Sequence, residues 1–116
     1  MSEKYIVYHN PRCSKSRMAI NYLNENNKSF EVKEYLKVPL KRNDLIKVLR
    51  TIGRSAESII RKNEKDYKEN FKGKKLDEDQ WIDAMIKFPK LMQRPIVIKA
   101  NKGIVARPAE LIDTLD

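Results

Sequence analysis

Short apolar stretches alternate with amphipathic ones along this chain, and their spacing predicts most of its elements. Tyr5-Ile6-Val7-Tyr8 reads as a buried strand that stops at His9-Asn10-Pro11, because proline lacks a backbone donor and restricts the residue before it. From Ser14 to about Asn26, helix-forming residues place Ala19, Ile20 and Leu23 on one side. Ser29 to Leu36 alternates as a second strand, with Phe30, Val32 and Tyr35 contributing to the core. Leu45, Val48, Leu49 and Ile52 follow a helical stripe that Asn43 caps and Gly53 stops, and a short third helix runs from about Ser55 to Arg61.

Further on, Asp77-Glu78-Asp79-Gln80 has the capping-box pattern. Ile82, Met85 and Ile86 give that helix its apolar stripe, and Pro89 closes it. Ile96-Val97-Ile98 and Ile104-Val105 form a hairpin about a turn at Asn101-Lys102-Gly103. Pro108 suits the first position of a last helix, with Glu110 in its first turn and Leu111, Ile112 and Leu115 on the buried side. The order is β-α-β, a helical insert at about 41–88, then β-β-α. This argues for one α/β domain over 1–116, and the thioredoxin-like arrangement, a central mixed sheet flanked by helices, is one of the small folds that it allows.

Composition narrows the partners. The 116 residues suffice for one core, and the net charge of +9 attracts anions of any size. Much of the charge lies in mixed runs such as KNEKDYKENFKGKK at 62–75, which read as solvated surface, and no RNA-binding or zinc-finger signature accompanies it. No apolar run approaches the ~20 residues that span a bilayer, and the N-terminus lacks a signal-peptide core. The expectation is a cytoplasmic protein, a monomer, with no membrane or nucleic-acid partner. The lone cysteine cannot form an internal disulfide, so its thiol is free for chemistry.

That cysteine lies in YHNPRCSKSR, residues 8–17, together with the one histidine of the chain. Cys13 stands where a strand turns into a helix. The helix N-terminus, Arg12 or Arg17, and His9 as a cation or orienting base each favour its thiolate, and the same N–H groups cradle an incoming anion. Polar flanks at Arg12, Ser14, Lys15 and Ser16 argue against an inert core cysteine. Ser16 stands where a Cys-X-X-Cys enzyme has its second thiol, so turnover must borrow an external one. The spacing fits neither a phosphatase loop nor a papain-like hydrolase, and no ligand cluster suggests a metal.

HNPRCSKSR, IIRKNE (59–64), PKLMQRPIV (89–97) and VARPAE (105–110) together resemble the glutaredoxin-coupled arsenate reductase (ArsC) family over essentially the whole chain. Ser14-Lys15 after the cysteine resembles its YfgD-like branch. The resemblance implies a thioredoxin-like fold with an inserted helical segment and a cis bond at Pro95. It implies Cys13 as nucleophile, with His9 and Ser16 tuning its thiolate. Arg61, Arg94 and Arg107, with Asn10 and Arg17, would bind the oxyanion. Glutathione would enter as co-substrate, with no tightly bound cofactor, and glutaredoxin would be the protein partner. A planar, permanently charged guanidinium suits a tetrahedral oxyanion independently of any family. Two alternatives remain at this point. One is an Spx-like transcription regulator that binds RNA polymerase, which would co-purify with it. The other is a monothiol, glutathione-dependent disulfide oxidoreductase, whose activity would survive mutation of Arg94.

Overall fold

The computed structural model describes residues 4–116. Strand β1 (Tyr5–Tyr8) is central, and helix α1 (Ser14–Glu25) leads from it to the parallel strand β2 (Phe30–Lys33). Between β2 and the hairpin lie α2 (Arg42–Ile52), a 3-10 turn (Glu57–Ile59), α3 (Lys65–Asn70), α4 (Glu78–Lys87) and a second 3-10 turn (Pro89–Leu91). Strands β3 (Ile96–Lys99) and β4 (Lys102–Val105) and a 3-10 helix (Ala109–Leu115) complete the chain. The sheet order is β2-β1-β3-β4, with β3 antiparallel to both β1 and β4. This mixed sheet, flanked by helices, is thioredoxin-like. No helix among the described residues is long and apolar enough to cross a membrane.

The two-residue period of the strands divides the core between the faces of the sheet. Tyr5, Val7 and Val97 pack with Ala19 and Leu23 of α1 and with Ile112 and Leu115 of the last helix. Tyr8, Ile96 and Ile98 point the other way, onto Leu45, Val48 and Leu49 of α2 and Trp81 and Met85 of α4. Trp81 itself lies among Tyr67 and Phe71, with ring centroids 6.3 and 5.8 Å away, and Phe71 continues to Phe88 at 5.7 Å.

Several boundaries differ from the sequence expectation, each for a local reason. Lys41, not Asn43, is the N-cap of α2, and it makes no side-chain cap bond; Asn43 lies within the first turn. Gly53 ends α2 in the left-handed conformation, as expected, at φ 67°. The third helix is only one 3-10 turn, whereas α4 has both bonds of the capping box, Gln80 N to Asp77 and Asp77 N to Gln80. The hairpin turns at Ala100-Asn101, because Lys99 pairs with Lys102 and Ala100 takes a positive φ of 57°. Gly103 is thus a strand residue, and packing requires it. A Cβ there would sit 2.9 Å from side-chain carbons of both Ile52 and Ile98, so a larger residue would force these side chains to move where α2 packs on the hairpin. The terminal helix is 3-10 with Pro108 as its N-cap, so burial recurs at every third residue, Ala109, Ile112 and Leu115, and Leu111 falls outside that face.

Candidate active site

The strand register brings one end of the sheet together. Tyr8 closes β1 opposite Lys33, the last residue of β2, and opposite Ile96, the first of β3, which itself faces Val105, the last of β4. The chain leaving β1, β2 and β4 therefore converges with the chain entering β3. These segments carry His9 to Cys13, Tyr35, Arg107 and Arg94. The peptide before Pro95 is cis, as the resemblance implied, and so is that before Pro108.

Asn10 and Ser16 shape the cysteine loop. The Asn10 N–H donates to Ser16 Oγ at 3.1 Å, the Arg12 N–H to Asn10 Oδ1 at 3.0 Å, and the Cys13 N–H to the Asn10 carbonyl at 3.0 Å. Both side chains are buried, and a loop whose polar groups answer one another in this way keeps a fixed form. Cys13 is the N-cap of α1, half-buried, and its neutral thiol makes no formal cap bond. Burial pushes the thiol pKa up. The backbone N–H of Ser16, the Arg94 guanidinium and the backbone N–H of Lys15 outweigh burial and hold it below the ordinary value.

The expected local charges do not supply this effect. Arg17 is exposed and donates to the Pro11 carbonyl at 2.9 Å, and the Arg12 side chain is exposed as well. The cation at the sulfur is Arg94, more than eighty residues away in sequence. Burial lowers the His9 pKa against the raising effect of Glu34, and Arg17 lowers it further, so the imidazole is a poorer cation than a free one.

The three arginines are fixed through one another. Residues 59–61 pair with 91–93 in a short antiparallel bridge, Arg61 N to Leu91 O at 2.7 Å and Gln93 N to Ile59 O at 2.9 Å, which sets Arg61 beside the segment carrying Arg94. The Arg94 guanidinium donates to the Lys90 carbonyl at 3.1 Å, and its own backbone carbonyl accepts from Arg107 at 3.3 Å. One carboxylate oxygen of Glu64 lies 3.3 Å from Arg61 Nε and 3.5 Å from Arg94 Nη2. Arg61 and Arg107 also line a cleft of about 340 Å³ with Ile60, Lys62, Asn63 and Gln93. Arg94 is buried and Arg107 exposed at the rim.

Two residues of this end of the sheet escaped the sequence reading. Glu64 lies in IIRKNE, three positions after Arg61, but spacing alone gives it no role. Tyr35 reads as a core strand residue because it continues an alternating pattern, whereas β2 ends at Lys33 and Tyr35 is held in the turn beyond it. Its ring is 1% exposed, and its hydroxyl makes no hydrogen bond of good geometry although Arg94 lies close to it. Burial pushes its pKa up to about 12 against the lowering effect of Arg94, so the phenol stays protonated and can only give or accept a hydrogen bond.

Among the described residues, the buried side-chain nitrogen and oxygen atoms without a hydrogen-bond partner are His9 Nδ1, Tyr35 Oη, Arg94 Nε and Arg61 Nε, the last of which has only its ion pair with Glu64. Each such group costs about 1–3 kcal/mol, and a folded chain keeps few of them. Tyr35, Arg61 and Arg94 lie together near Cys13, and His9 opens the loop that carries it. Three of them carry N–H or O–H groups and suit a ligand rich in acceptor oxygens. Accordingly, Tyr35→Phe is expected to leave the stability of the anion-free protein unchanged or raise it by about 1 kcal/mol, while lowering oxyanion kcat/KM by about tenfold. Urea denaturation and steady-state kinetics on the same preparation check both parts.

Comparison with known proteins finds relatives over the whole chain. Residues 8–115 match the family model described as the ArsC family. The chain is 42% identical to YfgD of Escherichia coli K12 over 97% of its own length and 96% of that protein. It is 37% identical to an arsenate reductase of Neisseria meningitidis, over 94% and 95% of the two chains. Among solved structures, an arsenate reductase from Vibrio cholerae superposes with a TM-score of 0.93, covering all of both chains at 30% identity.

Proposed function

The chain belongs to the ArsC family, and from that premise we propose that it is an oxidoreductase reducing arsenate, or a similar tetrahedral oxyanion, through Cys13. The observation that carries this reading is the gathering of buried Tyr35 and Arg94 groups that lack a hydrogen-bond partner, with Arg61, beside a thiol of lowered pKa.

In the proposed sequence the Cys13 thiolate attacks arsenic and forms an As–S bond, while one As–O bond breaks and its hydroxyl takes up a proton from solvent and leaves as water. Arg61, Arg94 and Arg107 offset the repulsion between thiolate and anion and hold its oxygens, while Tyr35 adds a neutral donor. Glutathione then attacks. The two sulfurs couple, arsenic keeps an electron pair, and arsenite departs. A Cys13–glutathione disulfide is left, because Ser16 offers no second thiol to resolve it. Glutaredoxin returns Cys13 to the thiol. Glutathione is thus co-substrate and glutaredoxin the protein partner of a monomeric enzyme.

The test is NADPH oxidation coupled through glutathione reductase, glutathione and glutaredoxin. The wild-type chain is expected to give an arsenate-dependent rate that Cys13→Ser loses. A wild-type rate no higher than that of Cys13→Ser would discard arsenate as the substrate. A parallel assay on a mixed disulfide separates the monothiol oxidoreductase reading: Arg94→Lys, which keeps the charge beside Cys13 but not the planar fork, is expected to lose the arsenate-dependent rate and to keep disulfide exchange.

A further inference from the structure

The Glu64 carboxylate sits among the cations that are proposed to hold the oxyanion, and it competes with that anion for them. Its Oε1 is 3.3 Å from Arg61 Nε and 3.5 Å from Arg94 Nη2, and its side chain is 21% exposed. Two surface arginines would gain little from such a pair, but Arg94 is buried and already anchored on the Lys90 carbonyl. Three guanidinium groups, one thiolate and one carboxylate leave the site with a single net positive charge. A singly charged oxyanion neutralises it, whereas a dianion overshoots. A protonated oxyanion also brings hydroxyl donors, which guanidinium groups cannot accept and a carboxylate can.

Resting on the oxyanion reading of the site, we infer that Glu64 selects the charge state of the substrate, favouring the singly charged, protonated tetrahedral oxyanion over the dianion. The other groups facing the site do not replace it in this role. His9, with Glu34 and Arg17 beside it, is common to every variant compared, Tyr35 stays protonated, and Lys62 at the cleft adds positive charge only. Cys13 titrates, but in every variant compared.

The experiment is calorimetric titration with inorganic phosphate at about pH 6 and about pH 8, where the probe passes from mostly singly to mostly doubly charged. Coulomb energy scales with ligand charge, so removing the carboxylate helps a dianion by twice the free energy that it helps a monoanion. Glu64→Gln is expected to bind phosphate about threefold tighter at the lower pH and about tenfold tighter at the higher. Glu64→Asp, which keeps the charge, is expected to behave like the wild type. If Glu64→Gln binds equally well, or more weakly by one factor at both pH values, the carboxylate only positions the arginines and the inference is overturned. If neither the wild type nor the variants bind phosphate or arsenate, the oxyanion reading itself fails, and this inference with it.

Discussion

Replacing Arg94 with methionine is expected to lower the oxyanion-reducing kcat/KM by about 10²- to 10³-fold, the usual scale for losing one preorganised charge-stabilising donor. Two effects combine. The guanidinium is proposed to bind substrate oxygen, and it also holds the Cys13 pKa down, so its removal lets burial push the thiol back up. The alkylation rate of Cys13 tracks its thiolate fraction, so its pH profile should move to higher pH in Arg94→Met. Arg94→Lys separates the parts. Its ammonium retains the charge and should recover most of the alkylation profile, but it lacks the planar fork, so kcat/KM should stay low. The orientation of Arg107 should survive both changes, because it rests on the backbone carbonyl of residue 94 rather than its side chain. An unshifted alkylation profile in Arg94→Met would mean that the helix amides alone hold the thiolate.

The largest expected effect on stability is at Trp81. It is 3% exposed and stacked among Tyr67 and Phe71, so Trp81→Ala removes a large aromatic from a filled core and should cost about 3–5 kcal/mol. For a chain of this size that corresponds to a fall in melting temperature of roughly 12–20 °C. Trp81→Phe should recover more than half. Thermal denaturation monitored by circular dichroism checks both variants. A loss under about 1 kcal/mol in the alanine variant would mean that α3 and α4 close over the gap.

How far the sequence could be read depended on whether the deciding contact was local. β1, the proline that stops it and the capping box of α4 depend on neighbours in sequence, and all are where patterning places them. The hairpin turn begins one residue earlier than expected and excludes Gly103, which looks like a turn glycine although its true constraint is α2 packing on the hairpin, a distant contact. The last helix was read at 3.6 residues per turn, yet Ala109, Ile112 and Leu115 meet the core at three. The site divides in the same way. Cys13 at a helix start is legible in nine residues. The identity of the cation beside it is not, since Arg12 and Arg17 are adjacent in sequence but exposed, Arg17 being turned to the Pro11 carbonyl, and Arg94 arrives through the β1–β3 register. Tyr35 was hidden because an alternating pattern does not reveal the residue at which a strand ends.

The placement of Cys13 at the N-cap ties the nucleophile to the folding of the chain. Helix α1 begins without a serine, threonine or aspartate oxygen to answer its first amides, and the Lys15 and Ser16 N–H groups among them favour a negative charge on the Cys13 sulfur. A thiol whose pKa is depressed by folding stabilises the folded state fully above its unfolded pKa, and this contribution fades as pH falls through the folded value. Urea midpoints should therefore climb with pH across that interval and lose the climb in Cys13→Ala. Each catalytic cycle that ties the sulfur up covalently would then briefly uncap the helix, leaving its opening turn looser until the reductant restores the free anion.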